Sequence, residues 1–136
     1  MGKIRFFEPG EVEFRRSSEL TPPGGNVGEA ERMGTAVRFH HPGSDDEPQL
    51  FEVDLDPDLV VPSHAHSKDE IIVILEGEIQ MGNRVCRPGA SVLVPGETFY
   101  GFTVGPKGCR FLNFRPVADG AYQTHEDYLK ARRSRD

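Results

Sequence analysis

Long hydrophobic runs are missing from this chain of 136 residues. Its opening stretch, MGKIRFFEPG, has no apolar segment of the length a signal peptide or a membrane span requires. Phe6 stands where a myristoylation signal places Ser or Thr, so that anchor is not encoded either. Cysteine is scarce: Cys86 and Cys109 are the only two. Without a secretion signal they read as buried thiols rather than a disulfide. These absences together make a cytoplasmic protein with no membrane partner the expectation. Positive charge is also short. The 16 Lys and Arg against 22 Asp and Glu leave a net charge of −6, which disfavours a nucleic-acid partner because phosphates need a basic surface. The one basic run, over 130–136, reads as a solvated terminus.

Helical periodicity is equally sparse, and what replaces it is punctuation. The 15 glycines and 11 prolines argue for many turns and few long helices. KIRFF and EVEFR near the N-terminus read as short strands. The stretch over 16–34 is rich in Pro and Gly and poor in core residues, which suits a lid, a binding arm or a disordered loop. From Thr35 onward strands and turns alternate: TAVRFH, QLFEVDL, EIIVILEGEIQM, ASVLVP, TFYGFTV and CRFLNFRP. Gly77 is expected to mark a bend or bulge, and Gly82-Asn83 a hairpin turn. A helix is predicted only near the end, where Thr124 would cap HEDYLKARR. The result is a single all-β domain over 1–136: N-terminal strands and an arm over 1–34, a barrel core over 35–116 and a helical tail over 117–136. About ten short strands in one domain suggest a sandwich, barrel or jelly roll.

The most informative stretch is PSHAHSKDEIIVILEG, over 62–77. On a strand, residues i and i+2 share a face with Cα atoms roughly 6.6 Å apart, so two imidazoles at that spacing can converge on one cation. His64 and His66 have that spacing. Glu70 opens the following strand and shares a face with Ile72 and Ile74, where an ionised carboxylate is costly unless it is paired or metal-bound. Two histidines and a carboxylate form a facial set suited to non-haem Fe(II), and zinc accepts the same trio. A surface turn with all three residues hydrated is the competing reading.

These residues resemble the first sequence motif of the cupins, small jelly-roll β-barrels. That motif runs Gly, five residues, His-x-His, three or four residues, Glu, six residues, Gly. His64, His66, Glu70 and Gly77 match it, and Asp58 replaces the leading glycine. The second motif is less complete. Gly89 and Pro95 match, while Glu97 stands for a glycine, Tyr100 for a histidine and Val104 for an asparagine. The resemblance implies a cupin-type jelly-roll barrel with a short C-terminal helix. It also implies one divalent transition metal held by His64, His66 and Glu70, with Fe favoured and Zn, Mn or Ni as alternatives.

Tyr100 stands where the family's fourth ligand usually lies. Three roles are open to it: a phenolate ligand, a general acid or base beside the metal, or a packing aromatic. Phe102 shares its strand face and would line a substrate pocket. Arg38, Arg110 and Arg115 alternate with apolar neighbours; Arg38 above all is a candidate for a substrate carboxylate, against the commoner outward-facing role. The function this favours is dioxygenase-type oxidoreductase chemistry on a small organic molecule. A metal-dependent lyase or isomerase with Tyr100 as base is one alternative, and a non-catalytic sensor module is another. A homodimer is expected, since small cupins often pair.

Overall fold

The computed structural model describes residues 2–20, 27–118 and 122–124. A single turn of 3-10 helix, Pro9–Glu11, precedes β1 (Arg15–Arg16), α1 (Ser17–Leu20) and α2 (Glu29–Gly34). Then follow β2 (Thr35–His41), β3 (Gln49–Leu55), β4 (Val60–Ala65), β5 (Glu70–Met81), β6 (Arg84–Cys86), β7 (Ser91–Val94), β8 (Tyr100–Arg115) and β9 (Gln123–Thr124). All pairings are antiparallel, in the order β1-β2-β3-β8-β4-β9, with β5 joined to β6, β7 and β8. This is a jelly-roll barrel. Among the described residues no helix is long and apolar enough to cross a membrane.

Alternation decides what faces inward. On β3, Phe51, Val53 and Leu55 enter the core, as do Ile72 and Ile74 of β5 and Phe102, Val104 and Phe111 of β8. Removing these side chains from water supplies the main driving force, roughly 2 kcal/mol for each large one. The expected bounds of β3 and β5 match those observed. The hairpin at Gly82-Asn83 does too, with Met81 opposite Arg84. The segments TFYGFTV and CRFLNFRP differ from expectation, because they form one strand of 16 residues. Gly105 accepts the Asp58 amide and Gly108 packs on β5, so Gly-Pro-Lys-Gly stays within the strand, with a left-handed Gly108, instead of ending it.

A straight strand of that length would span roughly 50 Å. Here β5 and β8 bend together, with register shifts on both sides of Gly77. Gly77 has φ +71°, and a Cβ there would fall 2.0 Å from the Gly108 carbonyl oxygen, so only glycine lets the two strands approach. The bend carries the first residues of β8 round to the same end of the barrel as its last.

The two positions at which the chain departs from the motif glycines, Asp58 and Glu97, have φ of +62° and +61°. They are the only non-glycine residues with positive φ among those described. The backbone of the motif is therefore kept while its usual residue is not, at some cost in strain.

The N-terminal segment departs from expectation. KIRFF joins no sheet, and of the second predicted strand only Arg15 pairs, with Val37, followed by Arg16 with Ala36. Side chains hold this segment instead. Phe7 stacks on His40 at 3.6 Å, and Arg38 lies over the Phe7 and Phe14 rings. Beneath them Glu52, buried on the outer face of β3, receives Arg38 Nε at 3.0 Å and Arg38 Nη2 at 3.2 Å, and pairs with His40 Nε2 at 2.8 Å. The arm over 16–34 contains two short helices rather than an uninterrupted loop; Glu, Ala, Arg and Met in α2 are good helix formers. Thr124 lies in β9, paired with His64, and the predicted helix after it falls outside the described residues.

Candidate active site

A cavity of about 210 Å³ opens into the barrel. Val37, Phe51, Val53, Val61, Phe102 and Phe111 give it apolar walls, and His64, His66, Tyr100, Asn113 and Arg115 line it too. Four of the five expected site residues other than Arg38 reach the cavity itself. The fifth, Glu70, lies just behind the wall with 1% of its surface exposed.

The histidines come from the end of β4 and the link after it. His64 and Tyr100 are cross-strand partners. Their rings lie 4.6 Å apart, with the His66 ring 4.9 Å from that of His64. His64 Nδ1 donates to the Pro62 carbonyl at 2.9 Å, which fixes the lone pair of the neutral ring on Nε2. Burial, countered in part by that carbonyl, holds the His64 pKa below the usual histidine range and keeps the ring neutral at pH 7. The turn before β8 is tied to the histidine link by two backbone bonds: Glu97 N–H to the His66 carbonyl at 2.6 Å and Gly96 N–H to Asp69 Oδ1 at 2.8 Å. They set where Tyr100 begins its strand.

Glu70 is where sequence and structure part. Tyr100 donates its hydroxyl to Glu70 Oε1. Asn113 Nδ2 donates to Oε2 at 3.0 Å, and Arg115 approaches the same oxygen with Nη2 at 3.3 Å and Nε at 3.4 Å. The buried carboxylate does have its cation, as its burial demands, and that cation is the Arg115 guanidinium. Burial, and next the neighbouring Glu70 charge, push the Tyr100 pKa well above that of a free phenol, and in this arrangement its hydroxyl serves as a donor to Glu70. Among the described residues no three His, Cys, Asp or Glu side chains stand together closely enough to hold a metal ion. As arranged, these residues do not fit the expected set of His64, His66, Glu70 and Tyr100 around one metal. The two imidazoles remain neighbours, but the carboxylate and the phenol are turned to each other and to Arg115.

Arg38 does not join the site. It lies on the outer face of β2, one residue out of phase with the cavity-lining Val37, and is bound to Glu52. Arg115 does enter the barrel, and the carboxylate it meets is the protein's own. Sequence reasoning missed Asn113, although its position between the inward Phe111 and Arg115 on an apolar strand was a readable signal. Tyr122 was missed as well. It stacks on His64 at 4.5 Å with the rings 6° from parallel, and nothing in its own neighbourhood announces that.

No family model matches the chain, and no curated protein matches it in sequence. Solved structures do resemble it. The polyketide cyclase RemF from Streptomyces resistomycificus superposes with a TM-score of 0.67 at 21% identity, over 96% of this chain and 94% of that one. The DMSP lyase DddQ from Ruegeria pomeroyi DSS-3 gives 0.66 at 21% identity, over 85% of this chain and 62% of that one. An RmlC-like cupin from Shewanella frigidimarina gives 0.59 at 18% identity, over 93% and 96%. With its jelly-roll topology and the His-x-His link at the open end of the barrel, the chain has the cupin fold.

Proposed function

We propose that the protein is an enzyme that moves a proton to or from carbon in a small organic molecule, in the manner of a cyclase, lyase or isomerase. The Tyr100–Glu70 hydrogen bond at the edge of an apolar cavity, backed by Arg115, carries this reading. A substrate C–H next to a carbonyl would give its proton to the Tyr100 oxygen while the Tyr100 proton passes to Glu70 Oε1. Glu70 is then the net base, and Tyr100 the relay that reaches the substrate. Arg115 and Asn113 hold Oε2, so the carboxylate keeps its orientation through the transfer. The resulting enolate has three fates: return of the proton at a new position, loss of a leaving group from the β-carbon, or attack on a second carbonyl. The first step is common to all three. Structural resemblance to proteins described as a cyclase and a lyase supports the class of chemistry without choosing among them.

The test is exchange of the α-protons of an enolisable ring ketone, 2-tetralone, into D2O, followed by proton NMR. Wild type is expected to accelerate exchange. Tyr100→Phe and Glu70→Gln should each lose about 100-fold or more, the usual worth of a positioned acid or base. No exchange by wild type across a panel of such ketones, or equal rates in the variants, would sink the proposal.

The iron-dioxygenase reading favoured by the sequence remains the second one, because His64 presents its Nε2 lone pair beside His66. It needs Glu70 to leave Arg115 for a cation. Metal content after purification without added metal, with exchange measured before and after chelation, separates the two. Activity that survives chelation supports the acid–base pair; loss restored by Fe(II) supports the metal. The homodimer belongs to the same set of proposals, and the mass in solution decides it.

A further inference from the structure

The arm, whose role the sequence left open, supplies Ser17, Val27 and Glu31 to the cavity wall. Glu70 lies behind that wall, so Glu31 is the one carboxylate among the described lining residues. It is placed from both sides. α2 runs directly into β2 through Thr35, whose hydroxyl donates to the Glu31 carbonyl at 2.8 Å and also pairs with Ser17 Oγ at 2.6 Å. From across the opening, the Tyr122 hydroxyl donates to Glu31 Oε1 at 3.2 Å, and the Tyr122 ring is itself stacked on His64.

A carboxylate has lone pairs for about four hydrogen bonds. Glu31 has one such donor among the described side chains, and the wall beside it is Val37, Phe51, Val61 and Phe102. Burial raises its pKa while the Tyr122 bond opposes the rise, as expected of a carboxylate short of donors. The rest of the cavity fixes the remainder of the ligand. A cavity of roughly 150 Å³ takes one benzene ring, so 210 Å³ suits an apolar body of one to two fused rings.

We propose that Glu31 is a substrate-binding residue, and that its carboxylate accepts the hydrogen of a hydroxyl, phenolic or enolic, on a ligand whose ring body fills the cavity. The substrate class is then a hydroxylated compound of one or two rings. The hydroxyl seats on the arm and the reacting carbon is offered to Tyr100. This rests on the cavity being the ligand site, as the function proposed above also does.

Two probes separate the hydroxyl from the body: 2-naphthol and 2-fluoronaphthalene, which share an outline and differ in the O–H. Affinity is read from the fluorescence of each probe with wild type, Glu31→Gln, Glu31→Leu and Tyr122→Phe, all checked for an unchanged circular-dichroism spectrum. Wild type should prefer 2-naphthol. Glu31→Leu should weaken 2-naphthol by about 10- to 100-fold, the range of a hydrogen bond to a charged group, with 2-fluoronaphthalene held within about twofold. Glu31→Gln, which keeps an acceptor oxygen, and Tyr122→Phe, which keeps the charge, should fall between. Unchanged 2-naphthol affinity in both Glu31 variants, or equal weakening of the two probes, overturns the assignment. If wild type binds neither probe, the assignment falls together with the cavity reading. Glu31-dependent binding without tetralone exchange upholds the assignment and removes only the Tyr100–Glu70 chemistry.

Discussion

Glu97 occupies a backbone conformation that suits glycine, and its side chain is exposed. Replacing it with glycine should relieve the strain of a left-handed residue, roughly 1 kcal/mol. Urea denaturation is expected to show Glu97→Gly more stable than wild type; an unchanged or lower midpoint would mean the strain is offset elsewhere. Arg115 lies at the opposite extreme. Its removal leaves Glu70 charged and buried, so Arg115→Gln should cost about 3–5 kcal/mol. Cys109 makes a third residue-scale prediction. Burial pushes its thiol up to about 12, so at pH 8 it should resist a thiol reagent such as Ellman's in the native protein and react after unfolding. The sign for stability follows from the same shift. With the folded pKa above the free thiol's 9.0, the Cys109 contribution is complete below pH 9 and is lost as pH rises towards 12.

At the scale of elements, β5 is the segment most legible from sequence. Its alternation places Glu70 with Ile72 and Ile74, and the structure buries all three. That the carboxylate needs a positive partner was legible too. Which partner was not, because Arg115 lies 45 residues away and reaches Glu70 only through the path of β8. The continuity of β8 was hidden by Gly-Pro-Lys-Gly, a sequence that ordinarily turns. The N-terminal strands were misjudged for a related reason: apolar spacing reports which side chains seek cover, not whether a sheet edge or a cation–π contact provides it. The bend shared by β5 and β8 depends on Gly77. Gly77→Ala combines a left-handed φ with a Cβ inside a backbone carbonyl, and should cost well over the roughly 1–2 kcal/mol of the conformational term alone. Chemical denaturation would show it, and a variant as stable as wild type would mean the bend lies elsewhere.

Seen as a whole, the described residues include two buried carboxylates, Glu52 and Glu70, served by guanidinium groups on opposite faces of one sheet. Glu70 with Arg115 lies inside the barrel; Glu52 with Arg38 lies outside it, under the N-terminal segment. The inner pair borders the cavity described above, through Arg115. The outer pair depends on Phe7 and Phe14 for cover, so a chain beginning at Arg15 should lose stability while retaining the inner arrangement. A lowered melting temperature with 2-naphthol affinity preserved is the expected result, and loss of both would tie the two faces together.

Because β8 folds back on itself, Tyr100, Phe102, Phe111, Asn113 and Arg115 all come from one contiguous stretch of chain. In most enzymes a site is collected from scattered loops and cannot be moved as a piece. Here a single cassette, residues 100–115, holds the Tyr100 of the proposed relay, the apolar wall beside it and the Arg115 that pairs with Glu70. Grafted into another barrel of this topology that already has a glutamate opening the partner strand and a glycine at the bend, it would carry much of the site's chemistry as one inheritable unit.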